Sequence, residues 1–418
     1  MGASDGFDGA PRSVIVVGAG IVGLSTAWFL QERGVDVTVV DRTGVAAGSS
    51  WGNAGWISPA LAIPLNEPAN LRFGLRSLLS RTAPLQVPFG AGPALWSFLA
   101  RFAVNSRPSA WRRAIRANAP LSAECIEAYD VLAANGIDAP LTEAPITAIF
   151  RTTADAQRLL DELSRFAEAG GAVFGTELTG TGLRQRVPLA SAEVAAAVRI
   201  DGQRFLDPGR FVSALGAAVV QRGAVMQTMD VIDVAPTGDG VAVAGADGTT
   251  LTAAAAVIAT GAWMSRLARR WVRVPVRAGR GYSFTVPVDE AVTGPIYLPD
   301  ARVACTPLGG RVRVAGTMEF GDPDAPVVGA RVEAIVASTR PLLDGVRWEE
   351  RTDVWVGPRP VSPDGRPVVG EVCPRTVYVA GGHGMWGMTH GPVTGRLLAE
   401  QITTGKQSAV LRELDPLR

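Results

Sequence analysis

The spacing of hydrophobic and polar residues near the start of the chain predicts a strand, a helix and a second strand. Residues 14–17 are continuously apolar, which is typical of a buried strand in a parallel sheet. A helix is predicted over about 21–33, since Gly34 follows as a stop signal. The next apolar run, 35–40, predicts the second strand, and it ends in Asp41. This order is that of a β–α–β unit with two parallel strands.

The remainder of the chain combines helical periods with alternating ones. Apolar residues recur every three or four positions over 66–139 and 153–171, which predicts mainly helices. Residues 206–236 predict a helix and then a strand. Between 272 and 354 the alternation has period two, as in an antiparallel sheet with one buried face. The last segment predicts a strand, a glycine-rich turn and a helix over about 389–401.

Three glycines follow the first strand with the spacing of a dinucleotide-binding loop. Gly18 permits a tight turn, Gly20 lets a pyrophosphate approach the backbone, and Gly23 lets the helix pack close to the strand. The helix N-terminus then offers unpaired N–H groups to the phosphates. Because Asp41 lies where a carboxylate would bind a ribose diol, we predict a dinucleotide site. A glycine-rich turn in an unrelated α/β fold is the alternative.

The stretch after Asp41 favours a flavin over a nicotinamide nucleotide. Residues 42–59 form a long loop of small residues that contains Trp51 and Trp56. Backbone N–H groups in such a loop can meet the polar edge of a flat ring, and a surface loop would leave the two tryptophans exposed. The chain carries a single glycine fingerprint of this kind, whereas a flavoprotein that is reduced by a nicotinamide nucleotide usually carries two. A nicotinamide-linked dehydrogenase stays open as an alternative.

The composition argues against several classes of ligand and cofactor. The 418 residues are 47% hydrophobic and 19% charged with a net charge of +1, which indicates a globular protein with no affinity for nucleic acid. Lys406 is the single lysine and follows the last helix, which argues against a Schiff-base mechanism with pyridoxal phosphate. Three scattered cysteines and two histidines predict neither a metal site nor disulfides.

The sequence also carries expectations about location. The N-terminal residues are polar and acidic and do not have the pattern of a signal peptide, and no run of 18 apolar residues occurs. We therefore expect a cytoplasmic protein. Aromatic and arginine residues mix within 66–139, which leaves peripheral contact with the inner face of the membrane open.

Seven segments, taken together and in order, resemble the D-amino acid oxidase superfamily of FAD enzymes, and most closely its bacterial D-amino acid dehydrogenase branch. The likeness runs from Val14 to about Ile402. The segments are GAGIVG with Asp41–Arg42, GSSWGNAG, ATGAW, RGYSFTVP, VAGTMEF, GPRPVSPDGRPVVG and GHGMWGMTHGPVTGRLLAEQI. Each motif is modest alone, and the set is specific.

The resemblance implies an α/β fold with two domains. A discontinuous Rossmann-like FAD-binding domain would comprise 12–75, 181–265 and 355–418. An α+β substrate domain, built on an antiparallel sheet that roofs the flavin, would comprise 76–180 and 266–354. The cysteine and histidine positions of the covalent-flavin branch are not matched, so non-covalent FAD is implied.

The resemblance also implies which residues would contact FAD. They come from the glycine loop, the strand end at Asp41, the small-residue loop, the valine beside the adenine, the ATGAW turn and the glycine-rich turn near the C-terminus. They are Gly18, Ala19, Gly20, Ile21, Val22, Gly23, Asp41, Arg42, Gly48, Ser49, Ser50, Asn53, Ala54, Gly55, Trp56, Ile57, Val231, Ala259, Thr260, Gly261, Trp263, Gly382, His383, Gly384, Met385, Trp386, Gly387, Met388 and Thr389.

Three residues are candidates for catalysis. Arg359, between two prolines, is expected to bind a substrate carboxylate, because a guanidinium matches it with two parallel hydrogen bonds. Pairing of Arg359 with a nearby acid is the alternative. Tyr282 is expected to assist the carboxylate or to pack in the sheet. His383 is expected to contact the cofactor or line the pocket, and His390 to cap or pack the last helix.

The resulting functional hypothesis is oxidation of a D-amino acid by FAD to an imino acid, which water converts to a 2-oxo acid and ammonia. Hydride would pass from the α-carbon to flavin N5, and oxygen or a quinone-linked carrier would take the electrons onward. The same chemistry on a cyclic or N-alkyl amino acid, such as D-proline, hydroxyproline or sarcosine, remains an alternative. A non-catalytic flavoprotein subunit remains another.

Overall fold

The fold is that of a computed structural model, which describes residues 10–68, 85–86, 92–171 and 175–418. Parts of the helical segment expected over 66–139 lie outside these ranges, as does the domain boundary expected between 75 and 76. Within the described part, helices and strands are mixed along the chain, with runs of consecutive strands over 225–258 and 277–320.

The strands are given in chain order. They are β1 Ser13–Val17, β2 Asp36–Asp41, β3 Trp56–Ile57, β4 Leu85–Gln86, β5 Thr142–Glu143, β6 Ile146–Phe150, β7 Gly175–Thr179, β8 Ala196–Ile200, β9 Arg204–Phe205, β10 Val225–Thr228, β11 Val231–Thr237, β12 Gly240–Gly245, β13 Thr250–Ala253, β14 Ala255–Ile258, β15 Arg277–Pro287, β16 Ile296–Leu298, β17 Val303–Leu308, β18 Arg311–Phe320, β19 Thr352–Val361, β20 Val368–Cys373 and β21 Val377–Gly381.

The α-helices are numbered in the same way. They are α1 Ile21–Glu32, α2 Pro93–Asn105, α3 Pro108–Ala134, α4 Thr153–Glu168, α5 Gly180–Arg186, α6 Pro208–Gln221, α7 Met264–Ala268, α8 Gly329–Thr339, α9 Gly387–Thr404 and α10 Ala409–Glu413. The last long helix therefore begins two residues before the start that the sequence suggests, directly after the glycine-rich turn.

A six-stranded sheet forms the nucleotide-binding half, in the order β10-β2-β1-β14-β21-β20. Neighbouring strands from β10 to β21 are parallel, and β20 is antiparallel to β21. The apolar runs predicted from the sequence occupy its centre, since Val16 and Val39 are fully buried. Helices α1 and α9 pack against each other beside this sheet. Strands from both ends of the chain thus meet in one sheet.

A nine-stranded, mainly antiparallel sheet forms the other half, in the order β19-β15-β18-β17-β16-β6-β8-β7, with β4 paired to β18. Helix α8 covers one face of β15 and β18. Two of its strands, β8 and β19, come from ranges assigned above to the FAD-binding domain. Their backbone hydrogen bonds go to β6 and β15 instead, so Arg359 on β19 belongs to the large sheet.

Two smaller sheets complete the fold, with the orders β11-β12-β13 and β3-β9-β5. The largest apolar cluster lies around α1, with Leu24, Trp28 and Leu30 fully buried. No helix in the described ranges is long and apolar enough to cross a membrane.

Candidate active site and cofactor cavity

A deep cavity opens at the carboxyl edge of the parallel strands. It encloses about 1270 Å³ of empty space, with its open mouth included, and the ends of β1, β2 and β14 reach it through Val17, Asp41 and Ala259. In open α/β sheets, ligands bind at this edge. On the far side the cavity reaches Arg359 of the nine-stranded sheet, so both halves of the fold contribute walls.

Most of the residues expected to contact FAD line this one cavity. They are Gly18, Gly20, Ile21, Val22, Asp41, Arg42, Gly48, Ser49, Ser50, Asn53, Val231, Ala259, Thr260, Gly261, Trp263, His383, Gly384, Gly387 and Met388. The sequence motifs, which lie as much as 370 residues apart, are therefore brought together by the fold.

Ten expected contacts lie beside the cavity, where they support its walls. They are Ala19, Gly23, Ala54, Gly55, Trp56, Ile57, Gly382, Met385, Trp386 and Thr389. The indole N–H of Trp56 donates to the hydroxyl of Thr306 at 2.8 Å, and that of Trp386 to the carbonyl of Ile63 at 2.8 Å. These side chains join the loop and the turn to their neighbours.

Other lining residues were not identified from the sequence. They are Val17, Val40, Thr43, Ala47, Met229, Asp230, Arg266, Leu267, Pro360, Ala380 and Gly381. Most directly flank the quoted motifs, and the C-terminal ends of parallel strands would have indicated Val17, Val40 and Ala380. Arg266 has no such local signal, because its position depends on the fold.

The glycine loop has the geometry that its spacing predicts. Gly18 has φ +117°, in the region that favours glycine. A Cβ on Gly23 would lie closer than 3.0 Å to the carbonyl oxygen of Gly18, so α1 can approach β1 only with glycine there. Gly20, Ile21 and Val22 carry the N-terminus of α1 to the cavity wall.

Asp41 fixes the corner between β1 and β2. Its carboxylate accepts hydrogen bonds from the backbone N–H groups of Ala19 at 2.9 Å, Thr43 at 2.8 Å and Gly44 at 2.9 Å. Because Asp41 also lines the cavity, the same carboxylate holds the glycine loop and faces the ligand space.

The small-residue loop is tied to both halves of the protein. The hydroxyl of Ser50 accepts a hydrogen bond from the N–H of Ile21 at 3.1 Å, and that of Ser49 donates to the carbonyl of Pro358. These two bonds place the loop between the start of α1 and the strand of Arg359.

Arg359 presents a cation to the cavity. Its Nη1 donates to the carbonyl of Thr317 at 3.0 Å, and among the described residues no carboxylate pairs with it. Burial lowers the pKa of the guanidinium to about 10, which leaves it charged at neutral pH. The side chain passes over Gly281, where a Cβ would collide with the guanidinium. A buried cation without a counterion is costly, so the arrangement suits an anionic ligand.

His383 lies at the base of the cavity and is buried. Its Nε2 is 2.9 Å from the hydroxyl of Thr394, and burial lowers the ring pKa to about 4. His390 does not line the cavity. Its Nε2 is 3.0 Å from the hydroxyl of Ser122, and burial, with a smaller effect of His383, lowers its pKa to about 3. Both rings are neutral at pH 7.

The fold does not bring Tyr282 to the cavity. Its side chain is fully buried on the face of the large sheet that α8 covers. The hydroxyl donates to Glu319 at 3.0 Å, and the same carboxylate pairs with Arg280 at 2.5 Å and Arg331 at 2.8 Å. Burial, and then the charge of Glu319, raises the pKa of Tyr282 to about 12. This environment is that of a packed core tyrosine.

Two orphaned polar atoms mark the cavity wall. The hydroxyl oxygen of Thr260 and Nδ1 of His383 are buried and have no hydrogen-bond partner among the described residues. Both residues line the cavity. Buried polar atoms are normally paired, so a polar ligand fits there. The described ranges contain no cluster of three or more histidine, cysteine, aspartate or glutamate residues that could hold a metal ion.

The family model described as "FAD dependent oxidoreductase" (DAO) matches residues 13–401. The chain belongs to this family. The expected cofactor FAD is thereby confirmed, and the cavity fits it: glycines and a helix N-terminus for a pyrophosphate, Asp41 for a ribose, and unpaired polar atoms for a ring.

Curated relatives align with nearly the whole chain of this protein. A protein of Methylobacterium radiotolerans named D-amino acid dehydrogenase is 30% identical over 93% of this chain and 95% of its own length. One of the same name from Cereibacter sphaeroides is 32% identical over 93% of this chain and 91% of its own. The structure of glycine oxidase from Geobacillus kaustophilus matches with a TM-score of 0.72 and 22% identity, over 98% of both chains. This last match confirms the α/β fold.

Proposed function

We propose that this FAD-dependent oxidoreductase oxidises a D-amino acid to an imino acid, which water converts to a 2-oxo acid and ammonia. The observation that carries the proposal is the guanidinium of Arg359, which faces the cavity with no carboxylate of the described chain beside it. The D-configuration is supported by the two curated relatives, which carry the name D-amino acid dehydrogenase.

Substrate binding would depend first on the attraction between opposite charges. The substrate carboxylate would pair with Arg359, and hydrogen bonds between two charged groups are worth about 1.5–3 kcal/mol. Pro358 and Pro360 flank Arg359 and restrict its backbone, and the hydrogen bond from Nη1 to the carbonyl of Thr317 orients the guanidinium. The α-carbon of the bound substrate is thereby positioned, and such positioning contributes much of the rate.

FAD, when bound, supplies an acceptor for two electrons and one proton as a hydride. The α-carbon would lose its hydrogen as a hydride while the lone pair of a neutral amine nitrogen forms the C=N bond, and the nitrogen would then release a proton to water. No protein group needs to remove the α-hydrogen. His383 is consistent with a reaction that needs no protein base, because an imidazole with a pKa of about 4 is a weak base.

FAD is proposed to be held without a covalent bond. Among the described residues that line the cavity there is no cysteine, and His383 is the one histidine. Denaturation with acid should therefore release all the yellow colour into the supernatant. Colour that stays with the precipitate would contradict this part of the proposal.

The test is anaerobic bleaching of the bound flavin by a panel of D-, L- and N-methyl amino acids, followed by air. We expect bleaching by D-amino acids, and the rate of recovery in air compared with that on a soluble quinone would identify the acceptor. Bleaching by L-amino acids alone would refute the proposal. Bleaching by N-methyl or cyclic amino acids alone would favour the alternative substrates.

Arg359→Gln provides the matched test of the carboxylate site, with Arg347→Gln as its control, since Arg347 is exposed and pairs with Asp289. We expect KM for the best D-amino acid to rise by about 30-fold or more in Arg359→Gln alone. An unchanged KM would exclude Arg359 from substrate binding.

A further inference from the structure

A short loop that follows a strand of the nine-stranded sheet contacts three residues that line the FAD cavity. It spans residues 321–328, between β18 and α8, and contains Pro323 and Pro326, which restrict its backbone. The N–H of Asp324 donates to the carboxylate of Asp322 at 3.0 Å, and the N–H of Ala325 to the carbonyl of Asp322 at 3.2 Å. A stiff turn thus presents the carboxylate of Asp324.

The carboxylate of Asp324 binds three side chains from the nucleotide-binding half of the fold. Arg42 lies 2.6 Å from Oδ1, Arg266 lies 2.8 Å from Oδ2, and the indole N–H of Trp263 lies 3.1 and 3.0 Å from the two oxygens. The guanidinium of Arg42 also stacks on the Trp263 ring, 4.2 Å from its centroid. All three side chains line the cavity.

The contact is partly exposed to solvent. The side chains of Arg42 and Arg266 are 35% and 61% exposed, and that of Asp324 is 38% exposed. Arg42 and Arg266 thus line the cavity and are also in contact with solvent. Asp41, which lines the same cavity, immediately precedes Arg42.

The other side of the loop is anchored in the protein interior. Arg280 donates to the carbonyls of Ala325 at 2.7 Å and Pro326 at 2.5 Å. Arg280 is itself buried and pairs with Glu319. The loop is thus fixed to the large sheet through backbone carbonyls, and to the nucleotide-binding half through one carboxylate.

We propose that Asp324 is a latch that fixes Arg42, Trp263 and Arg266 in the wall of the FAD cavity and thereby slows release of the cofactor. A single exposed ion pair contributes little, but here one carboxylate holds two arginines and a tryptophan on a stiff, anchored loop. When the carboxylate of Asp324 moves away, its contacts with Arg42, Arg266 and Trp263 break together. The inference depends on the FAD cofactor and not on which amine is oxidised.

The test measures FAD release from the holoenzyme by the rise in flavin fluorescence after dilution. Asp324→Ala should release FAD about tenfold faster, a change of about 1.4 kcal/mol in the barrier. Asp289→Ala is the matched control, because Asp289 also pairs with an arginine at 2.9 Å on the surface, away from the cavity. It should release FAD at the native rate.

Two further measurements separate a latch from a loss of stability. Trp263→Phe keeps an aromatic ring but removes the indole N–H that binds Asp324, so its effect on release should be much smaller in the Asp324→Ala background than alone. Raising the salt concentration should speed release from the native protein and not from Asp324→Ala, because salt screens partly exposed charges. Native release rates in Asp324→Ala, or a lower melting temperature of its apoprotein without faster release, would overturn the proposal.

Discussion

Gly281→Ala moves the guanidinium of Arg359 without removing its charge. Gly281 lies on β15, and a Cβ there would stand closer than 3.0 Å to Cζ, Nη1 and Nη2 of Arg359. Such a distance is not tolerated, so one partner must shift. The guanidinium is the far end of a flexible side chain, whereas Gly281 is held in the sheet opposite Gly357. The arginine is therefore the group that moves.

The size of the effect follows from that displacement. To reach ordinary van der Waals contact, the guanidinium has to move by about 1 Å or more, and an error of that size in a positioning group can lower the rate about 100-fold. Loss of the pairing with the substrate carboxylate gives a similar figure, about 2 kcal/mol or 30-fold. We expect kcat/KM for a D-amino acid to fall by about 30- to 100-fold, while the melting temperature stays near that of the native protein.

The assay compares an amino acid with the matching amine that lacks the carboxylate. The amine is expected to be a poor substrate of the native protein and equally poor in Gly281→Ala, because it does not use Arg359. Gly329→Ala is the control, since a Cβ at Gly329 meets no atom within 4 Å. If Gly281→Ala folds normally and keeps the native kcat/KM for the amino acid, Arg359 does not hold the carboxylate.

Three other outcomes follow from the same site. Protonation of His383 and His390 opposes folding, because their folded pKa values of about 4 and about 3 lie below the unfolded value of 6.5. The free energy of unfolding should therefore be highest above pH 6.5 and fall by about 2 kcal/mol per histidine at pH 5. His390→Gln should lose about half as much over this range. Urea midpoints that stay level from pH 7 to 5 would contradict this. The anaerobic rate of flavin reduction should follow the fraction of neutral substrate amine alone, and an additional inflection near pH 4 that His383→Gln abolishes would identify a histidine base. Asp41→Ala should weaken FAD binding by about tenfold or more, as measured by flavin fluorescence, because the carboxylate also holds the glycine loop; native affinity would remove Asp41 from the site.

Local sequence signals predicted the nucleotide-binding half well. The glycine spacing and Asp41 act within one β–α–β unit, so their geometry depends on neighbours in the chain, as the bonds from Ala19, Thr43 and Gly44 show. The proline-flanked motif identifies Arg359 in the same way, although its place in the cavity wall depends on the pairing of β19 with β15. In these places the local pattern and the fold agree.

Features of the site that depend on the pairing of distant strands could not be predicted from the sequence. Alternation over β15 predicts two faces and cannot tell which one meets the cofactor. The register of β15 against β18 shifts between Arg280 and Tyr282, and Tyr282 lies on the face under α8. Asp324 and Arg42 are separated by 282 positions, and only the docking of the two halves brings them together. The latch is therefore absent from any local motif.

The two histidines of the chain lie in or beside the glycine-rich turn, yet both are weak bases. Each ring is buried and bonded to a hydroxyl, and burial lowers the pKa of His383 to about 4 and that of His390 to about 3. The charge that faces the ligand from this part of the cavity comes instead from Arg359. Hydride transfer from a neutral amine requires an anchored carboxylate and little proton transfer by the protein. Among the described residues, the site offers Arg359 as a cation without a carboxylate partner and His383 as a weakly basic imidazole, which supports that reaction better than one in which a general base removes the α-hydrogen as a proton.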